Sequence, residues 1–341
     1  MPKPKHILVI RFSAMGDVAM TVPVLRALTE KYPQLKITIL TRGFLKPLFE
    51  GLNNVEVYAA DLKENHKGFF GLYKLSKELK QLNFDAVADL HNVLRSKILK
   101  FFFPGKNIEQ IDKGRSEKKD LINGRIFNQL KTTHQRYADV FESLGYQIDL
   151  SNPRFPAKSK LSEKLIKLKS TENTPMIGVA PFAAHKGKMY PLDKMEKVIE
   201  QLSKTNQVLL LGGGENEVEI LDNLSVKYEN VNSVAGKLSF KEELNLISNL
   251  DVMLSMDSGN AHLAAMFGVK VITIWGVTHP LAGFAPFNQP EDFQLIADRV
   301  QYPKIPTSVY GNKYPKEYED CAGSVSVKKV VEKVMSTISN T

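Results

Sequence analysis

Short apolar runs alternate with amphipathic stretches from one end of the chain to the other. Ile7-Leu-Val-Ile-Arg11 reads as a buried strand, and Val18, Val22, Leu25 and Leu28 follow at helical spacing. Between them lies a glycine-containing turn, Phe12-Ser-Ala-Met-Gly16-Asp17, and Pro23 predicts a short first helical turn with a kink or restart near Thr21. The alternation continues with strands over 36–40, 55–59 and 85–90 and an edge strand near 108–111, and with helices over 43–50, 69–82 and 134–144. The charged stretch Asp112 to Lys119 has no periodicity and reads as a surface loop. Two prolines, a charged stretch and a polar run over 151–174 mark a linker. The same grammar then restarts, with strands over 176–180, 207–211, 231–235, 251–255 and 269–274, and helices over 192–203, 217–228, 240–249 and 261–267. Such βα units build mostly parallel sheets with helices on both faces, so the expected class is α/β, in two halves of similar length.

Composition agrees with two ordinary globular domains: 341 residues, 43% hydrophobic and 24% charged. The apolar run before Arg11 is too short for a secretory leader, and no stretch approaches the roughly 18 to 20 apolar residues of a spanning helix. A single cysteine, Cys321, cannot form an intramolecular disulfide and fits a reducing cytoplasm. The seven histidines form no H-x-E or H-E-x-x-H run, so no metal site is expected. The net charge of +9 is uneven: to residue 150 there are 24 Lys and Arg against 16 Asp and Glu, and beyond it 22 against 21. The basic half favours an anionic partner, whether nucleic acid, an acidic lipid surface or an acidic small molecule.

Candidate chemistry gathers just beyond predicted strands. Asp257-Ser258-Gly259-Asn260 joins an apolar strand to a small-residue helix carrying His262. Helix-start amides can cradle an anion, and Asp257 beside them suits a ligand bearing both phosphate and hydroxyls, although a plain helix cap fits equally. Gly212-Gly213-Gly214-Glu215 allows close backbone approach, with a carboxylate for ribose hydroxyls, and reads equally as a turn. Lys186 and Lys188 follow another strand and can neutralise a diphosphate. In the first half, Asp17 can accept a proton from an attacking hydroxyl or orient it; capping its helix is compatible with this only if one oxygen stays free. Four cations within Lys113 to Lys119 offer a clamp for an acidic acceptor.

Taken together, Ile7 to Asp17 with Thr21-Val-Pro23-Val-Leu25-Arg-Ala-Leu28, Asp89-Leu-His-Asn-Val-Leu-Arg95-Ser96, Lys188-Met-Tyr-Pro191 and Asp257-Ser-Gly-Asn-Ala-His262-Leu resemble glycosyltransferase family 9, the heptosyltransferases of the lipopolysaccharide inner core. The resemblance implies a GT-B fold of two Rossmann-like domains whose parallel sheets face across a cleft. They would be an acceptor domain over 1–155 and a nucleotide-sugar domain over 172–325, with a terminal helix over 326–341 crossing back. It implies metal-independent, inverting transfer from an ADP-heptose, with no cofactor; the expected acceptor is an acidic Kdo-type sugar, and the expected protein is cytoplasmic, a monomer in peripheral contact with the inner membrane. By position, Asp17 matches the catalytic carboxylate, Lys188 the diphosphate contact, Glu215 the ribose contact and Asp257 the donor-sugar contact. Ser258, Gly259 and His262 match the turn beside the diphosphate, and Arg95 and Arg115 the acceptor side. Tyr190 stands where the family usually has tryptophan. Two other readings stay open: a UDP-sugar 2-epimerase-like enzyme, which would need no acceptor, and a non-catalytic nucleic-acid-binding protein. The latter needs exposed aromatic platforms, whereas Phe101-Phe102-Phe103, the dense aromatic run, reads as buried helix.

Overall fold

A computed structural model describes residues 3–168 and 174–339. Residues 169–173 of the expected linker, with the expected boundary at 172, lie outside the described residues, as do residues 1–2 and 340–341. Two compact units form, one of Met1–Lys113 with Thr132–Phe155, the other of Gly114–Lys131 with Pro156–Thr341.

The first unit is a five-stranded sheet in the order β3-β2-β1-β4-β5, parallel throughout. The strands are β1 (His6–Ile10), β2 (Lys36–Thr41), β3 (Val55–Ala59), β4 (Ala86–Asp89) and β5 (Asn107–Gln110), the last on the edge as its position predicted. β1 is buried along its whole length, which is why it reads as an unbroken apolar run rather than an alternating one. The helix after it breaks where Pro23 required: α1 (Met15–Ala19) ends at Met20 and α2 (Thr21–Lys31) takes the proline into its first turn. Residues Gly43–Phe49 form a 3-10 helix around Pro47. Next come α3 (Gly68–Lys80) and α4 (Leu94–Phe101). α3 and α4 cover a core of Leu8, Ile10, Leu72, Leu75, Val87 and Leu99.

The stretch read as a charged loop instead holds a helix, α5 (Arg115–Ile122), entered through Gly114 at φ +59°. Only Lys118 and Leu121 of its eight residues are buried, too few to reveal a period. Although α5 lies within 1–155, it belongs to the second unit. Leu121 and Leu130 pack on Ala282, Leu130 donates its amide to the Leu281 carbonyl, and the Lys118 ammonium lies 4.1 Å from the Phe284 ring centre. The chain returns to the first unit with α6 (Thr133–Ser143), capped by the Thr132 hydroxyl.

The second unit carries a six-stranded parallel sheet in the order β11-β10-β9-β6-β7-β8. After a short helix, α7 (Glu163–Ile166), come β6 (Met176–Ala180), α8 (Leu192–Leu202), β7 (Gln207–Leu210), α9 (Glu215–Ser225), β8 (Val231–Ser233) and α10 (Phe240–Ile247). Then follow β9 (Val252–Met256), α11 (Gly259–Ala265), β10 (Lys270–Trp275), β11 (Gln294–Ile296) and α12 (Val327–Ser339). α12 packs on α8, burying Val330, Val334 and Thr337 at successive turns. Tyr190 is wholly buried, and its hydroxyl donates to the Val325 carbonyl at 2.8 Å. This departure from the family's tryptophan therefore sits in the core. Among the described residues no helix is long and apolar enough to cross a membrane.

Candidate active site

In an open parallel sheet, ligands bind beyond the carboxyl ends of the strands, where the strand order reverses. In the first unit that point lies between β1 and β4. Ile10 is in register with Asp89, so the turn holding Asp17 lies beside the turn holding His91. Asp17 Oδ2 receives the Arg11 guanidinium at 2.8 Å and the Ala14 amide at 3.2 Å. Oδ1 has no partner among the described residues, and the side chain is 31% exposed. One carboxylate thus secures the helix start and keeps an oxygen open. Arg11 is itself fixed, donating to the Leu90 carbonyl at 2.8 Å and lying 5.9 Å from the Tyr137 ring centre.

Across from Asp17, the wholly buried Asp89 accepts the amides of His91 and Asn92 at 3.0 and 2.8 Å and pairs with Lys100 at 2.7 Å. This holds the His91 ring edge-on to Phe12, with Nδ1 accepting the Phe12 amide at 3.4 Å. Burial first, then the charges of Arg11 and Lys113, push the His91 pKa down to about 4, so at neutral pH it is an uncharged imidazole. Arg95, half-buried in the first turn of α4, has no partner among the described residues.

In the second unit the order reverses between β6 and β9, with Ala180 in register with Ser255. β6 leads to the turn Lys186–Lys188 and β9 leads to Asp257. Lys188 Nζ lies 2.9 Å from Asp257 Oδ2, with the two side chains 13% and 11% exposed, and the Thr278 hydroxyl donates to the same oxygen at 2.8 Å. The lysine turn is pressed into place by glycines. Val277 donates its amide to the Gly187 carbonyl at 2.8 Å, and a β-carbon on Gly276 would collide with that oxygen. Gly311, at φ +77°, lies so close to the Lys188 stem that a β-carbon there would come within 2.5 Å of Cγ and Cδ.

Ser258 precedes α11 in extended conformation, and its hydroxyl pairs with that of Ser255 at 3.1 Å rather than capping the helix. The plain-cap reading of Asp257 and Ser258 is therefore not what the side chains do. Gly259 and His262 lie in the first turns of the same helix, His262 buried. At the end of the neighbouring β7, Gly214 (φ +95°) leads into Glu215, which is exposed and has no partner among the described residues. Glu217, not Glu215, binds back to the Gly213 amide, at 2.8 Å.

Lys188, Asp257, Ser258, Gly259 and His262 thus share one switch point, and Glu215 shares its sheet edge. Asp17 and Arg95 belong to the first unit, whereas Arg115 is exposed at the start of α5 in the second. The sequence reading missed Arg11, His91 as a neutral neighbour of Asp17, and Thr278. Their only local signal is a polar side chain just past an apolar strand. Among the described residues no three His, Cys, Asp or Glu side chains converge as a metal-ligand set.

Residues 72–313 match the model of glycosyltransferase family 9 (heptosyltransferase). The lipopolysaccharide core heptosyltransferase OpsX of Haemophilus influenzae is 25% identical over 295 residues, 84% of this chain and 82% of its own. The solved family 9 glycosyl transferase of Veillonella parvula is similar with a TM-score of 0.76 at 18% identity, covering 99% of this chain and 98% of that one. Escherichia coli heptosyltransferase WaaC, solved with ADP, gives 0.67 at 19%, covering 97% and 99%. These likenesses give the fold, GT-B, as the sequence resemblance implied.

Proposed function

The chain belongs to glycosyltransferase family 9, and from that premise we propose that it transfers a heptose or related sugar from an ADP-sugar to an acidic Kdo-type sugar of the lipopolysaccharide inner core, with inversion and without a metal. The observation that carries the reading is the pair of complementary switch points. One holds a carboxylate with a single open oxygen, and the other a largely covered lysine beside a carboxylate and a helix start.

In this reading Asp17 Oδ1 takes the proton of the acceptor hydroxyl as its oxygen attacks the anomeric carbon, while Arg11 holds Oδ2 still. The bond from the anomeric carbon to the diphosphate breaks, and ADP leaves with the electron pair. Lys188 and the amides at Gly259 and Asn260 meet the charge that grows on the leaving group, so they act more strongly on the transition state than on the bound donor. Asp257 orients the donor sugar through its second oxygen, Glu215 takes the ribose hydroxyls, and Ser258 and His262 line the diphosphate. Arg95 and Arg115 attract the acidic acceptor. The neutral His91 adds a hydrogen-bonding group beside Asp17 without adding positive charge. We place the protein in the cytoplasm as a monomer at the inner membrane surface, binding no nucleic acid and needing no cofactor.

The test is ADP release from ADP-heptose with and without a soluble Kdo-containing acceptor. Release that depends on acceptor is expected. Conversion of a nucleotide sugar with no acceptor present would instead indicate an epimerase and overturn the proposal.

A further inference from the structure

Folding leaves a ridge of aromatic rings in water on the outer face of α3 and α4. Phe70 is 84% exposed and Phe101 80%, and Phe69, Tyr73 and Leu94 are exposed beside them. Phe101 is the last residue of α4, and Phe102 and Phe103 follow it in the turn beyond the helix, so the three rings do not share one face. Phe103 is buried, Phe102 half-buried and Phe101 turned out, so the expectation of a wholly buried run fails there. The rings form one surface. Phe69 meets Phe70 and Phe102 edge-on at 5.9 and 5.5 Å, and Phe102 meets Tyr73 and Phe101 at 5.4 and 5.9 Å. Leu94, seven residues before Phe101 on α4, extends the same face by two turns.

The surround of this ridge is cationic. Lys67, Lys74, Lys77 and Lys97 are exposed around it, with the Lys77 ammonium 4.6 Å from the Tyr73 ring centre. The one carboxylate on the two helices, Glu78, accepts from the Tyr58 hydroxyl at 2.5 Å and lies 3.1 Å from His66 Nε2, so it is already engaged. The unit as a whole carries 20 Lys and Arg against 14 Asp and Glu.

We infer that this aromatic ridge and its lysine rim seat the first unit on an anionic lipid bilayer, the rings entering the headgroup layer and the ammonium groups meeting lipid phosphates. The purpose of such docking, reaching a lipid-linked acceptor, rests on the proposed function; the binding itself does not. Two other occupants fit less well. A two-fold contact with a second copy would set the lysine rim against itself. Single-stranded nucleic acid needs flat ring faces in series, and here the rings are locked edge to face.

Flotation of the full chain with phosphatidylcholine vesicles, with and without phosphatidylglycerol, tests this. Binding should require the anionic lipid and weaken in high salt. Phe70→Ser with Phe101→Ser should weaken it at least tenfold, and Lys74→Gln and Lys77→Gln roughly fivefold each. All four side chains are exposed, so melting temperature and ADP release with a soluble acceptor should stay at wild-type values. Wild-type chain that ignores anionic vesicles, or a double phenylalanine variant that binds them as well, would overturn the inference. So would a dimer or an RNA complex that the same substitutions dissolve while vesicles stay unbound. Vesicle binding by a chain that fails to transfer heptose even to soluble acceptor would leave the docking surface standing and defeat only the enzymatic reading.

Discussion

Replacing Lys188 by methionine separates its observed ion pair from its proposed contact with the diphosphate. Its ammonium lies 2.9 Å from Asp257 Oδ2, with both side chains almost out of water. Removing one member of such a pair costs about 3–5 kcal/mol, because the other charge is left without its counterion. Here the Thr278 hydroxyl still donates to Asp257 at 2.8 Å, so the orphaned charge keeps one partner and the cost falls below that range. We therefore expect Lys188→Met to lose about 2 kcal/mol of stability. At roughly 2–4 °C per kcal/mol for a unit of this size, its melting temperature falls by about 4–8 °C. Adding Asp257→Asn should restore most of that, since the orphaned charge is gone. Neither version should recover ligand affinity: a lost charge-assisted bond to phosphate, about 1.5–3 kcal/mol, weakens ADP roughly ten- to a hundredfold. Calorimetric titration with ADP alongside thermal melting reads both quantities. A melting drop with an ADP dissociation constant within twofold of wild type would refute the diphosphate role and leave Lys188 a purely structural cation.

Three further outcomes follow from the same geometry. Gly311→Ala places a methyl against the Lys188 stem at a backbone conformation alanine resists, so it should weaken ADP without touching any ligand atom; unchanged affinity would mean the lysine has another productive position. Arg11→Met strands the Leu90 carbonyl and leaves Asp17 Oδ2 with the Ala14 amide alone, and should cut turnover and lower stability by about 2 kcal/mol while sparing ADP affinity; normal turnover would show that Asp17 needs no brace. His91 and His279 are both held down to about 4, chiefly by burial, against an ordinary 6.5. The unfolded chain therefore takes up protons between pH 6.5 and 4 that the folded chain refuses. Stability should fall with acidity across that window and be indifferent to these groups above it. NMR titration midpoints near 6.5 for either ring would contradict this.

Much of the fold was legible because parallel strands buried on both faces are written as plain apolar runs: Met176–Ala180, buried throughout, falls where the pattern put it. The break before Thr21 was legible from one proline. The elements that escaped lack a period of their own. α5 buries two of its eight residues, one of them a lysine, and β11 is three residues long and begins at a glutamine. Among the candidate site residues, those standing just past a strand were legible, since the carboxyl edge of a parallel sheet is a local inference. What no local pattern carries is the strand order that makes β1 and β4, and β6 and β9, neighbours. With it go the partners that order supplies, Arg11 bridging Asp17 and Leu90, and Thr278 donating to Asp257. Phe101 was misread for a related reason: composition records that three phenylalanines are adjacent, not which of them the helix turns outward.

The central claim is that Asp17 acts on the acceptor while another set of side chains holds the donor. Asp17→Asn keeps the shape and the amide contact but removes the basic oxygen, and the measurement is its steady-state turnover with ADP-heptose and soluble acceptor, beside its ADP dissociation constant. A fall in kcat of about a hundredfold or more, the usual worth of a general base, with ADP affinity unchanged is the predicted result. Turnover near wild type in a folded Asp17→Asn chain would contradict the account.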